Sequence, residues 1–73
     1  MFETVKDTLT QLMRIKPENI HENSHLRDDL NLDSLMILEL VLELESVLDV
    51  EIDDSEVATF FTISDVVKTL ELK

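Results

Sequence analysis

Ser34 is the side chain best placed to carry chemistry in this sequence. It follows Asp33 at the point where a polar loop gives way to an apolar, helix-forming run, Leu35-Met36-Ile37-Leu38. Two uses are open to such a hydroxyl. As a nucleophile it needs a base within hydrogen-bond reach and a group that orients the base. Only His21 and His25 could act as bases, and there is no G-x-S-x-G turn. As a site modified by another enzyme it needs less. Asp33 is a good helix N-cap, which puts Ser34 at the first helical position. A phosphodiester on its oxygen then lies near free backbone N–H groups and the positive end of the helix dipole. Asp-Ser pairs also begin helices with no further role, so the pair alone does not decide.

Other constellations fall away. Asp29-Leu30-Asn31-Leu32-Asp33 starts like a calcium loop, but Ser34 stands where glycine is needed and Leu40 where a bidentate glutamate is needed. His21 and His25 have no companion ligands and are expected to be exposed or locally hydrogen-bonded loop residues. The chain has no cysteine, hence no disulfide, no thiolate metal site and no thiol of its own. No pair of carboxylates has a setting that marks an acid and a base, so the chain is expected not to be an enzyme.

The charge is unevenly spread. The formal net charge is -11, and residues 28 to 67 hold twelve Asp or Glu with no Lys or Arg. That block excludes nucleic acid as a partner and is repelled by anionic membranes. Proteins with basic patches suit it, steered by long-range attraction that salt weakens. A solvated face that only confers solubility is the alternative. No apolar run is long enough for a membrane span, and the N-terminus lacks the apolar core of a signal peptide. A soluble, cytoplasmic, monomeric protein with one domain over residues 1–73 is the expectation.

The elements that must position Ser34 follow from periodicity. With 44% hydrophobic residues, Gly 0 and Pro 1, the composition favours helices. Phe2, Val5, Leu9 and Leu12, with Met13 alongside, form the stripe of a first helix that stops by about residue 15, ahead of Pro17. A long connection over residues 16–33 is pinned by Ile20, Leu26 and Leu30. The second helix is expected over 34–48, with Ile37, Leu40, Val41, Leu44, Val47 and Leu48 facing the core. Leu38 and Leu42 are expected to be buried by further neighbours, with a recognition surface as the alternative. Leu35 and Met36, in the exposed first turn, suit recognition better. Asp53 and Glu56 resemble a capping box for a short third helix near 54–60. Thr62 and Asp65 start a last helix striped by Ile63, Val66, Val67 and Leu70. Of Phe60 and Phe61 at least one is expected in the core; plain packing is favoured over walls for an acyl cleft. The helices run almost flush with both ends of the sequence, as in a free-standing protein.

The whole pattern resembles the acyl carrier protein family over the full length of the chain. The matching residues are Asp28-Asp29-Leu30, Asp33-Ser34-Leu35, Glu39-Leu40-Val41, Glu51-Ile52-Asp53-Asp54 and Thr62-Ile63-Ser64-Asp65-Val66-Val67. The resemblance implies an all-α four-helix bundle with a long loop between helices 1 and 2 and a short third helix. It implies that Ser34, within the motif Asp33-Ser34-Leu35, carries 4'-phosphopantetheine (pantetheine 4'-phosphate), donated from coenzyme A by a phosphopantetheinyl transferase. The arm then supplies the missing thiol and holds acyl cargo as a thioester for fatty-acid or polyketide-type enzymes. By position, Asp33, Leu35, Met36, Glu39, Leu42, Glu45 and Glu51 face their basic docking patches. An aminoacyl or peptidyl carrier and an unmodified acidic interaction domain are the alternatives. Three departures stand out: Asn31 replaces the usual glycine, Leu32 a common alanine, and Met36 the acid typical of fatty-acid-synthesis carriers. Asparagine tolerates left-handed backbone, so the turn is expected to survive. Met36 is expected to alter partner choice, and the departures leave both a housekeeping fatty-acid carrier and a specialised one open.

Overall fold

A computed structural model describes all of residues 1–73. It contains helix α1 (Phe2–Met13), a 3-10 turn (Pro17–Asn19), α2 (Ser34–Leu48), α3 (Asp54–Val57) and α4 (Ile63–Glu71). The four-helix plan read from the sequence holds, with α1 packed on both α2 and α4.

The helix ends follow local chemistry. Arg14 closes α1 in left-handed geometry (φ 57°), and Pro17 holds Lys16 extended, so the helix cannot run on. Asp33 caps α2, its carboxylate accepting the Met36 N–H at 2.8 Å. Asp49 (φ 54°) closes that helix. At α3 the Glu56 carboxylate accepts the Asp53 N–H at 2.9 Å. This helix stops at Val57, short of the expected residue 60. Thr59 and Phe60 N–H donate three residues back, to the Glu56 and Val57 carbonyls, and the Thr59 hydroxyl also donates to the Glu56 carbonyl at 2.7 Å. The tighter winding and the side-chain bond together end the α geometry.

The Thr62–Asp65 capping box at α4 is complete. Asp65 N–H donates to Thr62 Oγ1 at 3.3 Å and Thr62 N–H to Asp65 Oδ2 at 2.9 Å, with the Phe61 N–H on the same oxygen at 3.0 Å. Partial desolvation pushes the Asp65 carboxyl up, but the bonds from Thr62 and Phe61, helped by Lys68, outweigh it and leave the group below its ordinary range. A carboxyl depressed on folding stabilises fully above its ordinary value of 3.8, and that gain is lost as pH falls through the depressed value. We expect Asp65→Asn to cost about 1 kcal/mol at neutral pH. In urea melts the gap to wild type should close on acidification below the ordinary aspartate range. A gap of constant size would show that the charge of Asp65 contributes nothing.

Fifteen buried apolar side chains form one core, drawn from every helix except α3 and from the loops. Val5, Leu9, Leu26, Leu40, Leu44, Ile63 and Val66 are fully enclosed. The loop residues Ile20, Leu26 and Leu30 are buried as expected, and Leu32, Ile52 and Phe60 join them. Four expectations fail. Leu12 and Val47 are exposed, because α1 and α2 leave an open groove between them lined by Thr8, Gln11, Leu12, Glu43 and Val47. Leu38 and Leu42 are 47% and 57% exposed, because no element covers that side of α2. Their helical arc is apolar without being core.

The long α1–α2 loop is stitched to the α3–α4 junction. His25 and Thr62 form an isolated antiparallel bridge. Leu26 N–H donates to the Phe61 carbonyl at 2.8 Å, Ile63 N–H to Ser24 at 3.0 Å, and Ser64 N–H to Glu22 at 2.9 Å. These bonds fix the segment that leads into Ser34.

Candidate functional site

The site is the turn from His25 to Met36. His25 Nδ1 accepts the N–H groups of Arg27 and Asp28 at 3.3 and 3.2 Å, and Asp29 Oδ2 accepts the His25 N–H at 2.7 Å. His25 is thus a locally bonded loop residue, and His21 is exposed. Leu26 and Leu30 anchor the turn in the core, and Leu32 N–H returns to the Leu26 carbonyl at 3.0 Å. Asn31 takes the left-handed geometry that glycine usually supplies, with φ 58°. The turn therefore survives the substitution. It delivers Leu32 inward and Asp33 into the cap, leaving Ser34 exposed at the first position of α2.

The Ser34 hydroxyl has one polar neighbour. Arg27 Nη2 donates to Ser34 Oγ at 2.9 Å. Neither ring nitrogen of His25 bonds Ser34: Nδ1 is engaged by backbone, and its ring lies 6.4 Å from that of Phe61. A guanidinium cannot act as a base at neutral pH, so Ser34 has no partner to activate it from within the chain. The arrangement suits an accessible acceptor hydroxyl instead.

Two concavities lie near this turn. The larger, about 810 Å³, is an open hollow between the end of α1 and the loop, lined by residues such as Arg14, Lys16, His21, Asp29 and Asn31, and Ser34 does not line it. The smaller, about 230 Å³, runs from Ser34 and Arg27 between α2 and α3, over Ile37, Val57, Ala58, Phe60 and Phe61. Its position beside Ser34 outweighs its modest size. Phe60 is buried in the core and Phe61 is 57% exposed, and both line this cleft.

Residues 3–70 match the family described as phosphopantetheine attachment site. Acyl carrier proteins of Sulfurovum sp. and Campylobacter fetus are 34% and 38% identical over 71 residues. Those matches span 97% of this chain and 95% and 92% of the relatives. This chain belongs to the acyl carrier protein family. A solved Mycobacterium tuberculosis structure, described as a putative acyl carrier protein, superposes with a TM-score of 0.90. It is 30% identical, with 97% of this chain and 95% of that one covered.

Carriage on a phosphopantetheine arm is therefore this protein's role, and the residues around Ser34 suit the group. The serine is exposed, the helix N-terminus offers N–H groups, and a guanidinium already stands at the oxygen. No helix is long and apolar enough to cross a membrane.

The other residues read as docking positions divide. Asp33, Leu35, Glu39, Leu42 and Glu51 are exposed, with Leu35 at 63%. Met36 is half-buried against the core. Glu45 is partly occupied, its Oε2 accepting the Ile52 N–H at 2.8 Å, so it also holds the α2–α3 loop. Sequence reasoning missed two residues. Leu38 completes an exposed Leu35–Leu38–Leu42 stripe, legible as i, i+3, i+7 spacing. Arg27 was legible only as the lone cation just ahead of the acidic block.

Proposed function

We propose that Ser34 is the phosphopantetheine attachment site and that the protein is a carrier without catalysis of its own. The observation that supports this best is the isolated Ser34 hydroxyl, exposed on a capped helix start within a rigid turn and without a base. In the transfer, Ser34 Oγ bonds the phosphorus of coenzyme A nearest the pantetheine. The bond from that phosphorus to the bridging oxygen breaks, adenosine 3',5'-bisphosphate leaves, and the serine proton passes to a base of the transferase. The bound arm supplies the thiol that this chain lacks, on which acyl cargo travels as a thioester. Asp33 holds the first turn of α2, and Leu35 gives the transferase an apolar handle beside the serine.

Partners dock on the exposed face of α2. Leu35, Leu38 and Leu42 give contact area, and Asp33, Glu39 and Glu51 give attraction for a basic surface. Cargo is an acyl chain of fatty-acid or polyketide type; Met36 in place of an acid favours a specialised pathway.

Loading is tested by intact mass after incubation with coenzyme A and a broad-specificity phosphopantetheinyl transferase. Wild type gains one phosphopantetheine. A folded wild type that gains none, with a cognate transferase also failing, overturns the assignment. Docking is tested with the same reaction. Leu42→Ser should raise the transferase KM for the carrier about tenfold with kcat nearly unchanged, the signature of weakened ground-state binding. KM should also rise with ionic strength. A KM indifferent to both would remove α2 from the docking surface.

A further inference from the structure

We infer that Arg27 is the counter-ion of the arm: once Ser34 is loaded, its guanidinium turns from the serine oxygen to the phosphodiester and fixes where the arm leaves the protein. The inference rests on Ser34 as the attachment site.

The first ground is the state of Arg27. Two lysine–carboxylate ion pairs form in the protein, Lys6–Glu3 and Lys73–Glu56. Arg27 joins no carboxylate, although Asp28 and Asp29 follow it directly in sequence. In so acidic a surrounding an exposed arginine would be expected on a carboxylate. Instead its one side-chain bond reaches seven residues along the chain to Ser34 Oγ. A guanidinium has five N–H donors and no acceptor, so four remain for another ligand.

The second ground is the charge that loading adds. A phosphodiester brings one more negative charge to a chain already at -11. It arrives beside the Asp33 carboxylate, which has taken the Met36 N–H for itself. Residues 28 to 67 contain no Lys or Arg that could answer it. The nonbridging oxygens stand two bonds from the atom that Arg27 already touches. Charge-assisted bonds from arginine to phosphate are favoured in both geometry and strength.

The third ground is rigidity. The Arg27 N–H is tied to His25 Nδ1, and Leu26 before it is fully buried. The guanidinium therefore starts from a fixed base. It also lines the cleft that runs from Ser34 to Phe60 and Phe61, so pairing holds the root of the arm at that cleft's mouth.

The test compares apo and loaded forms of wild type, Arg27→Gln, Arg27→Lys and Arg14→Gln. Arg14 is an exposed cation at the end of α1 that makes no hydrogen bond to Ser34, and it controls for charge alone. Intact mass first verifies the load on Ser34. Loading should then lower the melting temperature of Arg27→Gln by about 3 °C more than that of wild type, as for one exposed ion pair in a domain of this size. Arg14→Gln should follow wild type, and Arg27→Lys should fall between. The excess should vanish in molar salt. The phosphodiester 31P resonance should move in Arg27→Gln and stay in place in Arg14→Gln, a readout that a merely structural role leaves alone. Equal loading effects in the two glutamine variants, or an unmoved 31P resonance, overturn the inference. A wild type that takes no arm on Ser34 is a different result: the attachment site falls, and the role of Arg27 falls with it.

Discussion

Ser34→Ala is expected to abolish phosphopantetheine loading completely while leaving the fold intact. The loss is total because the bond to phosphorus is made by the one oxygen that the substitution removes. No other serine is presented in the same way: Ser46 lies inside α2, Ser55 lies in the short α3, Ser64 is half-buried in the first turn of α4 with its N–H on the Glu22 carbonyl, and Ser24 is buried with its Oγ accepting the His21 N–H. The fold is spared for equally local reasons. Ser34 is exposed, and the cap of α2 belongs to Asp33, whose bond to Met36 N–H does not involve the serine. Only the hydrogen bond donated by Arg27 disappears with the hydroxyl. Alanine is also the best helix former, so the first turn gains slightly. Intact mass and a thermal melt on the same sample check both halves. A variant still loaded would move the attachment site elsewhere. An unloaded variant that had also unfolded would leave Ser34 with a structural role instead.

Leu26→Ala is expected to have the largest effect on stability. Leu26 is completely buried, and truncating such a leucine costs about 2–5 kcal/mol through forfeited transfer free energy and the cavity left behind. A domain of this length holds only about 4–11 kcal/mol in total. The melting temperature should therefore fall by about 10 °C or more. The effect reaches the site, because Leu26 is also a junction of the backbone. Its N–H binds the Phe61 carbonyl and its carbonyl receives the Leu32 N–H. Loosening it frees the turn that presents Ser34, and loading should slow in step with the fraction unfolded. Leu72→Ala, at a leucine 89% exposed, is the control and should change neither quantity. A Leu26→Ala protein as stable as wild type would show that the loop is not part of the core.

The parts of this protein that were legible in the sequence are those decided within one helical turn. Asp33, Thr62 and Asp65 act as caps because a side-chain oxygen three residues from a free N–H has little else to do. The bounds of α2 followed from that cap and from its unbroken apolar run. Asn31 could be read as left-handed from its residue type and place. What escaped depends on neighbours far along the chain. Leu38, Leu42, Leu12 and Val47 lie on arcs as apolar as any in the core, and only the placement of the other helices leaves them in solvent. The stitching of residues 22–26 to 61–64 has no periodic signal, because it is made by backbone atoms that every residue type shares. Arg27 escaped for a related reason. Its meeting with Ser34 depends on how the turn between them closes.

Three residues, Arg14, Asn31 and Asp49, adopt positive φ in a chain with no glycine to spare them. Each carries roughly 1 kcal/mol of backbone strain in the native state. The other side of that choice lies in the denatured ensemble. Every glycine withheld removes conformations that folding must later give up, worth about 0.4–1 kcal/mol per position. Strain and restricted freedom are thus nearly matched at these three corners. A small acidic domain with a limited core can forgo glycine because its unfolded chain is already stiff, and its turns are held by what the chain cannot do when it is loose.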